Sequence, residues 1–240
     1  MRRGGTSAMN DALRTLHSGL PREGPGEPAD VAWALDVLGT PPGARILDAG
    51  CGPGADLLTL AAMRPGATMV GIEAHAPFAE AARERAGGRA EVRRGDMAAP
   101  GGTWDLIWCA GALYFIGIEA GLAGWRDALA PGGGVAFTEP FLSANAAAGS
   151  AAFWEGYPAA DEDGILRRVE AAGFEVVAAR RIAPAAWEAY HGPMEARIAA
   201  LRPEADEALG AVLDSAEAEI ALRRADPGGL GYLQVAARPA

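Results

Sequence analysis

The sequence predicts an α/β fold in which a mainly parallel sheet carries helices on both faces. Short apolar segments typical of strands alternate with alanine- and leucine-rich segments typical of helices, and such alternation indicates β-α-β units. A glycine-rich turn at residues 50–54 follows the first apolar segment, where a strand would pass into a helix. The predicted strands span 44–49, 67–73, 90–94, 104–109, 133–139, 174–181 and 231–237.

The helices are predicted from their boundary residues as well as from their composition. Pro28 opens one helix and Gly39 closes it, because proline suits the first turn of a helix and glycine the position after its end. A late helix carries Arg223 and Arg224 in its last turn, which complements the helix dipole. Further helices are predicted at 8–19, 55–64, 76–87, 119–130, 161–172, 185–201 and 204–225.

Composition predicts one globular domain over residues 1–240, with an N-terminal helical segment at 1–40. A chain of 240 residues with 50% hydrophobic content can bury a substantial core. Its net charge of −10 disfavours nucleic-acid and anionic-membrane partners, and no apolar run approaches the roughly 20 residues that span a bilayer. Cys51 and Cys109 form neither a disulfide framework nor a metal-binding pattern. We therefore expect a cytoplasmic protein without a catalytic metal, and a homodimer stays open.

The turn after the first strand is the strongest local indication of a ligand site. Residues 46–55 read ILDAGCGPGA, and the backbone N–H groups of such a turn and helix start can bind an anionic or polar group. Glycines let a ligand approach the main chain closely. The pattern also satisfies the loose dinucleotide fingerprint, and a plain strand–helix turn without a ligand is the alternative.

Three acidic residues favour S-adenosylmethionine over a nicotinamide cofactor. Asp48 lies two residues before the first glycine and can orient the turn. Glu73 closes the second strand and can accept hydrogen bonds from both ribose hydroxyls, a feature shared with NAD-binding proteins. Asp96, after the third strand, can accept from an adenine amine while the Met97 N–H faces a ring nitrogen. We expect these residues to converge, because the carboxyl ends of parallel strands meet at one edge.

Together, these motifs resemble those of the class I S-adenosylmethionine-dependent methyltransferases. A finer resemblance is to a bacterial subgroup of unassigned substrate, with a GPG segment at 22–26 (REGPG) and a GALYFIG-like loop. The resemblance implies a Rossmann-like, mostly parallel seven-stranded sheet whose last strand runs antiparallel beside the sixth. We interpret the helices at 184–225 as an insertion that covers the site, with an extra packing layer as the alternative. The matching segments are LDAGCGPGAD (47–56), GIE (71–73), GDM (95–97), WDLIWCAGALYFIG (104–117) and LAPGGGVAFTEP (129–140).

The resemblance implies methyl transfer from S-adenosylmethionine to an O, N or C atom of a small molecule, with S-adenosylhomocysteine as product. Gly50 and Gly52 would face the methionine part of the cofactor, and Arg22 would lie near its carboxylate or remain solvated. Cys109 would offer backbone groups, or simply end its strand. The implied cofactor-binding residues are Arg22, Asp48, Ala49, Gly50, Gly52, Glu73, Ala74, Asp96, Met97 and Cys109.

Candidate catalytic residues are Tyr114, His191 and Glu139. Tyr114 lies in the loop after the fourth strand, where its ring can favour a cation, whereas we expect neighbouring Phe115 to pack in the core. His191, on the predicted cover, could accept a proton from the methyl acceptor or face solvent. Glu139 ends the fifth strand and could orient an acceptor amine or hydroxyl. An apolar pocket or plain core packing is predicted for Trp154, Tyr157, Trp187 and Tyr190.

Two other functions stay open on the sequence. The lack of a certain general base allows a catalytically silent S-adenosylmethionine-binding protein. The glycine turn and Glu73 also allow an NAD-dependent oxidoreductase, although nothing near the fourth strand suggests room for a second nucleotide.

Overall fold

The computed structural model describes residues 4–154 and 157–240, which form seven strands and eight α-helices. Residues 1–3 of the predicted N-terminal segment, which include Arg2 and Arg3, lie outside the described residues. The strands are β1 (Arg45–Ala49), β2 (Thr68–Glu73), β3 (Glu91–Arg94), β4 (Trp104–Cys109), β5 (Leu129–Leu142), β6 (Phe174–Arg181) and β7 (Leu230–Pro239). The helices are α1 (Gly4–His17), α2 (Pro28–Val37), α3 (Ala55–Met63), α4 (Ala76–Ala86), α5 (Ile118–Arg126), α6 (Glu162–Ala171), α7 (Pro184–Leu201) and α8 (Glu207–Ala225).

All seven strands join in one sheet of order β3-β2-β1-β4-β5-β7-β6. The pairs among β1 to β5 are parallel, whereas β7 runs antiparallel to both β5 and β6. The predicted mostly parallel sheet with an antiparallel last strand is therefore confirmed. The strand order reverses between β1 and β4, and ligands of such sheets bind beyond the carboxyl ends at this point.

Each face of the sheet is covered by a separate apolar layer. Successive residues of a strand point to opposite faces, so Ile46 and Leu106 pack with Leu35 of α2. Leu47 and Ile107 instead belong to the layer on the other face. All five side chains are fully buried, and the continuous apolar strands match a parallel sheet covered on both sides.

Helices α1, α7 and α8 form a third apolar cluster, here called the helical cover. Leu16 of α1, Met194 and Ile198 of α7, and Leu213 and Ile220 of α8 are buried against one another. Segment 22–26 ties the cover to the sheet domain, because its Gly26 N–H donates to a carbonyl of α7 at 3.0 Å. Among the helices of the described residues, none combines the length and apolarity needed to cross a membrane.

The connection from α5 to β5 differs from the predicted boundaries of 119–130 and 133–139. Helix α5 ends at Arg126, and β5 begins at Leu129. The Trp104 N–H donates to the Ala128 carbonyl at 2.8 Å, and Trp104 pairs with Leu129 across the sheet. Residues 128–129 therefore do not continue the helix, because their backbone pairs with β4 instead of forming helical hydrogen bonds.

Candidate functional site

A cavity of about 750 Å³ opens at the carboxyl ends of the central strands. Its walls come from the glycine turn after β1, the ends of β2 and β4, the loop after β3, segment 22–26 and the helical cover. Of the predicted cofactor-binding and catalytic residues, those that line the cavity are Arg22, Asp48, Gly50, Gly52, Glu73, Ala74, Asp96, Met97 and Tyr114. Tyr190 of the helical cover also lines it, so the cavity brings together predicted residues up to 168 positions apart in the chain, from Arg22 to Tyr190.

The glycine turn is held close to β2 by backbone hydrogen bonds. The N–H groups of Gly50 and Cys51 donate to the Ile72 carbonyl at 2.8 and 3.0 Å. Gly50 has a φ of 77°, and a Cβ built there would lie 2.7 Å from the Cβ of Ala112. Glycine is therefore required at position 50 by both the positive φ and the space.

The Glu73 carboxylate is fixed at the cavity wall by two backbone donors. The Gly52 N–H donates to Glu73 Oε2 at 3.0 Å, and the His75 N–H donates to Oε1 at 2.7 Å. Each carboxylate oxygen has a further lone pair available for a ligand. This side chain is therefore preorganised as a hydrogen-bond acceptor.

Asp96 and Met97 are positioned by the loop after β3. The Ala98 N–H donates to Asp96 Oδ1 at 2.9 Å, and Trp125 Nε1 donates to the Met97 carbonyl at 2.7 Å. Asp96 is exposed and Met97 is half-buried. The loop thus presents one carboxylate and a thioether beside the glycine turn.

Asp48 is the most buried carboxyl group on the cavity wall. It is 2% exposed, and its Oδ2 atom has no hydrogen-bond partner among the described residues. Burial raises the pKa of Asp48 well above its usual range, the charges of Asp56 and Glu73 raise it further, and Arg22 partly offsets them. A positively charged donor in the cavity would relieve this cost, because a buried carboxylate needs a partner.

Arg22 lies on the cavity wall and is already paired. Its Nη2 lies 2.6 Å from Asp56 Oδ1, and Trp108 Nε1 donates to Asp56 Oδ2 at 3.1 Å. Asp56 was not predicted as a site residue, because an acid in the first turn of a helix is ordinarily explained by the helix dipole. The ion pair ties segment 22–26 to α3 across the cavity.

Aromatic side chains form the wall opposite the glycine turn. Tyr114 is hydrogen-bonded to Tyr232, and burial raises the pKa of Tyr114 to about 12. Its hydroxyl is therefore protonated at neutral pH. The predicted pocket aromatics Trp154, Tyr157, Trp187 and Tyr190 all line the cavity, together with Phe153 and Tyr232.

The predicted core packing of Phe115 is wrong. Its side chain is 73% exposed, lies at the cavity wall, and packs against the neighbouring Tyr114 ring, at 4.3 Å between centroids. The short 3-10 turn Leu113–Phe115 buries Leu113 instead. In such a turn, one residue of each three points inward. Leu113 occupies that inward position, so Phe115 points outward.

Four predicted site residues do not line the cavity: Ala49, Cys109, Glu139 and His191. Ala49 and Cys109 are fully buried within the ends of their strands, whereas their neighbours Gly50 and Ala110 reach the cavity. His191 is 1% exposed, and neither ring nitrogen has a partner among the described residues. It lies behind Trp187 and Tyr190, at 5.4 and 5.6 Å between ring centroids.

Glu139 lies one layer behind the cavity wall. It is 1% exposed, its Oε1 accepts a hydrogen bond from the Tyr157 hydroxyl, and its Oε2 has no partner among the described residues. Burial raises the pKa of Glu139 to about 7, with the Tyr157 hydrogen bond and Arg168 opposing that rise. Tyr157, not Glu139, reaches the cavity.

Within 4–154 and 157–240, no group of three or more His, Cys, Asp or Glu side chains is placed to hold a metal ion. The site combines a closely packed glycine turn, fixed carboxylates and aromatic rings around one cavity.

Residues 46–133 match a family model described as a methyltransferase domain. The chain is 36% identical over 115 residues to a nocamycin O-methyltransferase from Saccharothrix syringae, and 38% identical over 101 residues to a trans-aconitate 2-methyltransferase from Paracidovorax citrulli. These alignments cover 44% and 40% of this chain but only 41% and 38% of the relatives. The chain thus spans about two fifths of the length of the curated relatives it matches.

The fold matches a solved structure over nearly its whole length. A SAM-dependent methyltransferase from Geobacter sulfurreducens, crystallised with S-adenosylhomocysteine, superposes with a TM-score of 0.81 at 21% sequence identity. The match covers 96% of this chain and 98% of that one. It includes the helical cover as well as the sheet, so the whole architecture is shared.

Proposed function

We propose that this chain, which carries a class I S-adenosylmethionine-dependent methyltransferase domain, transfers a methyl group from S-adenosylmethionine to an oxygen, nitrogen or carbon atom of a small-molecule acceptor. One observation carries the proposal. The glycine turn, Glu73 and Asp96 line a single cavity, and all of them lie within the residues that match the methyltransferase family model.

The cavity residues fit this cofactor on structural grounds. The unpartnered Oδ2 of Asp48 suits the ammonium group of an amino acid, and the preorganised Glu73 carboxylate suits a pair of ribose hydroxyls. Gly52 has a φ of 52°, in the left-handed region that favours glycine, whereas a Cβ there would lie at an ordinary contact distance of 3.8 Å from the Glu23 side chain. Carboxylates also outnumber cations on the described part of the wall, which favours a ligand with net positive charge.

Each part of the chain has a separate role in this proposal. When bound, S-adenosylmethionine supplies a methyl group that its sulfonium already activates. Glu73 binds the ribose, and Asp96 with the Met97 N–H recognises adenine. The backbone at Gly50 and Gly52 and the Arg22 side chain hold the amino-acid part, with Ala49, Ala74 and the backbone near Cys109 shaping the wall.

We infer that the acceptor is a small molecule because the helical cover forms part of the cavity wall. A space of about 750 Å³ lies in the ordinary range for small-ligand pockets, and it must hold both cofactor and acceptor. Tyr114 is placed to position the acceptor and to favour a cation, by about 0.5–2 kcal/mol for such a contact. The proximity of two aligned reactants can itself lower the barrier by several kcal/mol.

Three coarser features of the protein belong to the same proposal. We assign His191 to packing within the cover, since its ring lies behind the cavity wall. We interpret residues 1–240 as one domain in which 184–225 serves as a cover rather than only a packing layer. Both cysteines are free, which suits a reducing cytoplasm, and light scattering would decide whether the protein forms a homodimer.

The first test is calorimetric titration with S-adenosylmethionine, S-adenosylhomocysteine and NAD. We expect the two sulfur ligands to bind and NAD not to bind. The Glu73→Ala variant should lose roughly 10- to 100-fold in affinity, because a hydrogen bond to a charged group contributes about 1.5–3 kcal/mol. Glu80→Ala, which changes an exposed acid of α4, is the matched control and should bind as the wild type does.

The same titration separates the alternative functions. Binding of NAD alone would contradict the methyltransferase proposal and favour an oxidoreductase. Binding of S-adenosylmethionine without S-adenosylhomocysteine formation, over a panel of small alcohols, phenols, amines and carboxylic acids, would instead indicate a catalytically silent binding protein.

A further inference from the structure

Glu139 is a buried acid that the proposed cofactor roles leave unused. It lies near the end of β5, between β4 and β7, and only 1% of its surface is exposed. One oxygen accepts the Tyr157 hydrogen bond, and the other has no partner among the described residues. A carboxyl group held in this way is costly to bury, and nothing in the proposed cofactor binding offsets that cost.

Tyr157 connects this acid to the cavity. Its side chain is half-buried and forms part of the cavity wall, and its hydroxyl donates to Glu139. The Tyr157 ring also packs edge-on against Tyr114, at 5.7 Å between centroids. The hydroxyl of Tyr157 therefore lies between the space where an acceptor would bind and the buried carboxyl group.

A cation also interacts with the Tyr157 side chain. The Arg168 guanidinium of α6 interacts with Tyr157, and Glu119 of α5 holds Arg168 through two hydrogen bonds of 2.7 and 2.8 Å. A positive charge beside a phenol oxygen stabilises negative charge that develops on it. The hydroxyl is thus placed for proton transfer in either direction.

We propose that Tyr157 is a catalytic residue that receives the proton lost by an acceptor hydroxyl or amine, and that Glu139 receives the proton of Tyr157 in the same step. The inference rests on the proposed methyl transfer. The acceptor O–H or N–H bond breaks, and its electron pair stays on the acceptor atom. That proton bonds to the Tyr157 oxygen, the Tyr157 O–H bond breaks, and its proton bonds to Glu139.

The electrostatics of the surrounding groups support this order of transfer. Burial and the Glu139 carboxylate raise the pKa of Tyr157 to about 12, so Tyr157 alone is a weak acid. It can therefore accept a proton from the methyl acceptor only if it passes its own proton to Glu139 in the same step. Glu139, with a pKa raised to about 7 by burial, is well matched to accept a proton at neutral pH.

The remaining groups that face Glu139 do not compete with it near neutral pH. Glu139 interacts with Cys109 of β4, with Tyr232 of β7 and with Tyr114, and burial raises the pKa of all three. Glu119 is an ion-pair partner of Arg168, whose hydrogen bond lowers the pKa of Glu119 to about 2. Glu139 is therefore the member of this cluster that titrates nearest to pH 7.

The test uses 4-nitrophenol as a cavity probe, because its neutral and ionised forms have different absorption spectra. The full-length protein is titrated from pH 5 to pH 9 with the probe, with and without S-adenosylhomocysteine. We expect the apparent pKa of the bound probe to be at least about one unit lower in the wild type than in Glu139→Gln, a tenfold change in ionisation. Tyr157→Phe should behave like Glu139→Gln, and Glu139→Asp should restore part of the shift.

Glu80→Gln is the matched control, because it makes the same change at an exposed acid of α4 that does not line the cavity. It should leave the ionisation of the probe as in the wild type. A probe spectrum that is the same with and without wild-type protein overturns the proposal, as does one pKa shared by the wild type and Glu139→Gln. Failure of S-adenosylhomocysteine to bind by calorimetry would contradict the methyltransferase function, and the probe titration without that ligand would still decide the proton transfer.

Discussion

The buried carboxyl group of Asp48 destabilises the ligand-free folded protein above the pKa that this group has in the unfolded chain. Its pKa is raised by burial and by the charges of Asp56 and Glu73, so the folded protein holds a proton that the unfolded chain would release above about pH 4. Stability is therefore lost as the pH rises from the unfolded pKa towards the folded one. A ligand ammonium group would remove the penalty.

Replacing Asp48 with asparagine should separate stability from binding. Asp48→Asn removes the charge, so the ligand-free protein should melt at a higher temperature than the wild type at pH 7.5, with a smaller difference at pH 4. The same variant should bind S-adenosylmethionine at least about tenfold more weakly, because it loses a charged hydrogen bond. Differential scanning fluorimetry and calorimetry measure the two effects. If Asp48→Asn is less stable than the wild type at both pH values, the inference that the Asp48 charge destabilises the folded protein is contradicted.

At the scale of residues, the sequence could predict those side chains whose position follows from a strand end. Glu73 and Asp96 were placed at the cavity because each follows a strand of a parallel sheet. Phe115 and Asp56 could not be assigned in this way. The direction of Phe115 depends on the phase of a three-residue turn, and the role of Asp56 depends on Arg22, 34 residues away.

At the scale of elements, α7 carries a neutral histidine in its buried face. Burial lowers the pKa of His191 below its usual value of 6.5, with Arg224 and Arg223 acting in the same direction and Glu188 and Glu195 opposing them. The unfolded chain then binds a proton more readily than the folded one. Stability is complete above about pH 6.5 and decreases as the pH falls through this value.

The His191→Phe variant should remove this part of the acid sensitivity. The wild type should lose up to about 1.4 kcal/mol of unfolding free energy per pH unit from this group between pH 6.5 and its folded pKa, and the variant should lose correspondingly less. Urea denaturation at pH 7.5 and pH 5.5 measures the difference. Tyr190→Phe perturbs the neighbouring ring and keeps the histidine, so it should retain the wild-type dependence. Equal slopes in the wild type and His191→Phe would contradict the assignment.

The elements themselves were largely predictable, because apolar period and boundary residues are local properties. All seven strands were predicted, and α2 begins at Pro28 as expected. The exact junction of α5 and β5 was not predictable. Residues 128–129 leave the helix only because Trp104 of β4 is available to pair with them, and that partner belongs to another part of the chain.

At the scale of the whole molecule, the cavity is a shared boundary between the sheet domain and the helical cover. The glycine turn and Glu73 come from one side, and Trp187 and Tyr190 come from the other. Neither the link from Tyr157 to Glu139 nor this shared wall could be predicted from the sequence, because both depend on how distant segments are packed. The mostly parallel sheet and its antiparallel last strand, in contrast, can be predicted from the alternation of elements and from the family resemblance.

If the cover and the sheet form one cooperative unit, damage within the cover should lower the stability of the entire chain. Leu213 of α8 is fully buried among cover residues, so Leu213→Ala should cost about 2–5 kcal/mol. For a chain of this size, each kcal/mol lowers the melting temperature by about 2–4 °C, and the calorimetric transition should shift as a single peak. Leu13→Ala, at an exposed position of α1, should leave the transition nearly unchanged.

A variant in which the cover melts separately, while S-adenosylhomocysteine still raises the melting temperature of the sheet and its flanking helices, would contradict the one-domain interpretation. Such a result would mean that the acceptor wall can open without loss of the cofactor site, because Glu73 and the glycine turn belong wholly to the sheet side.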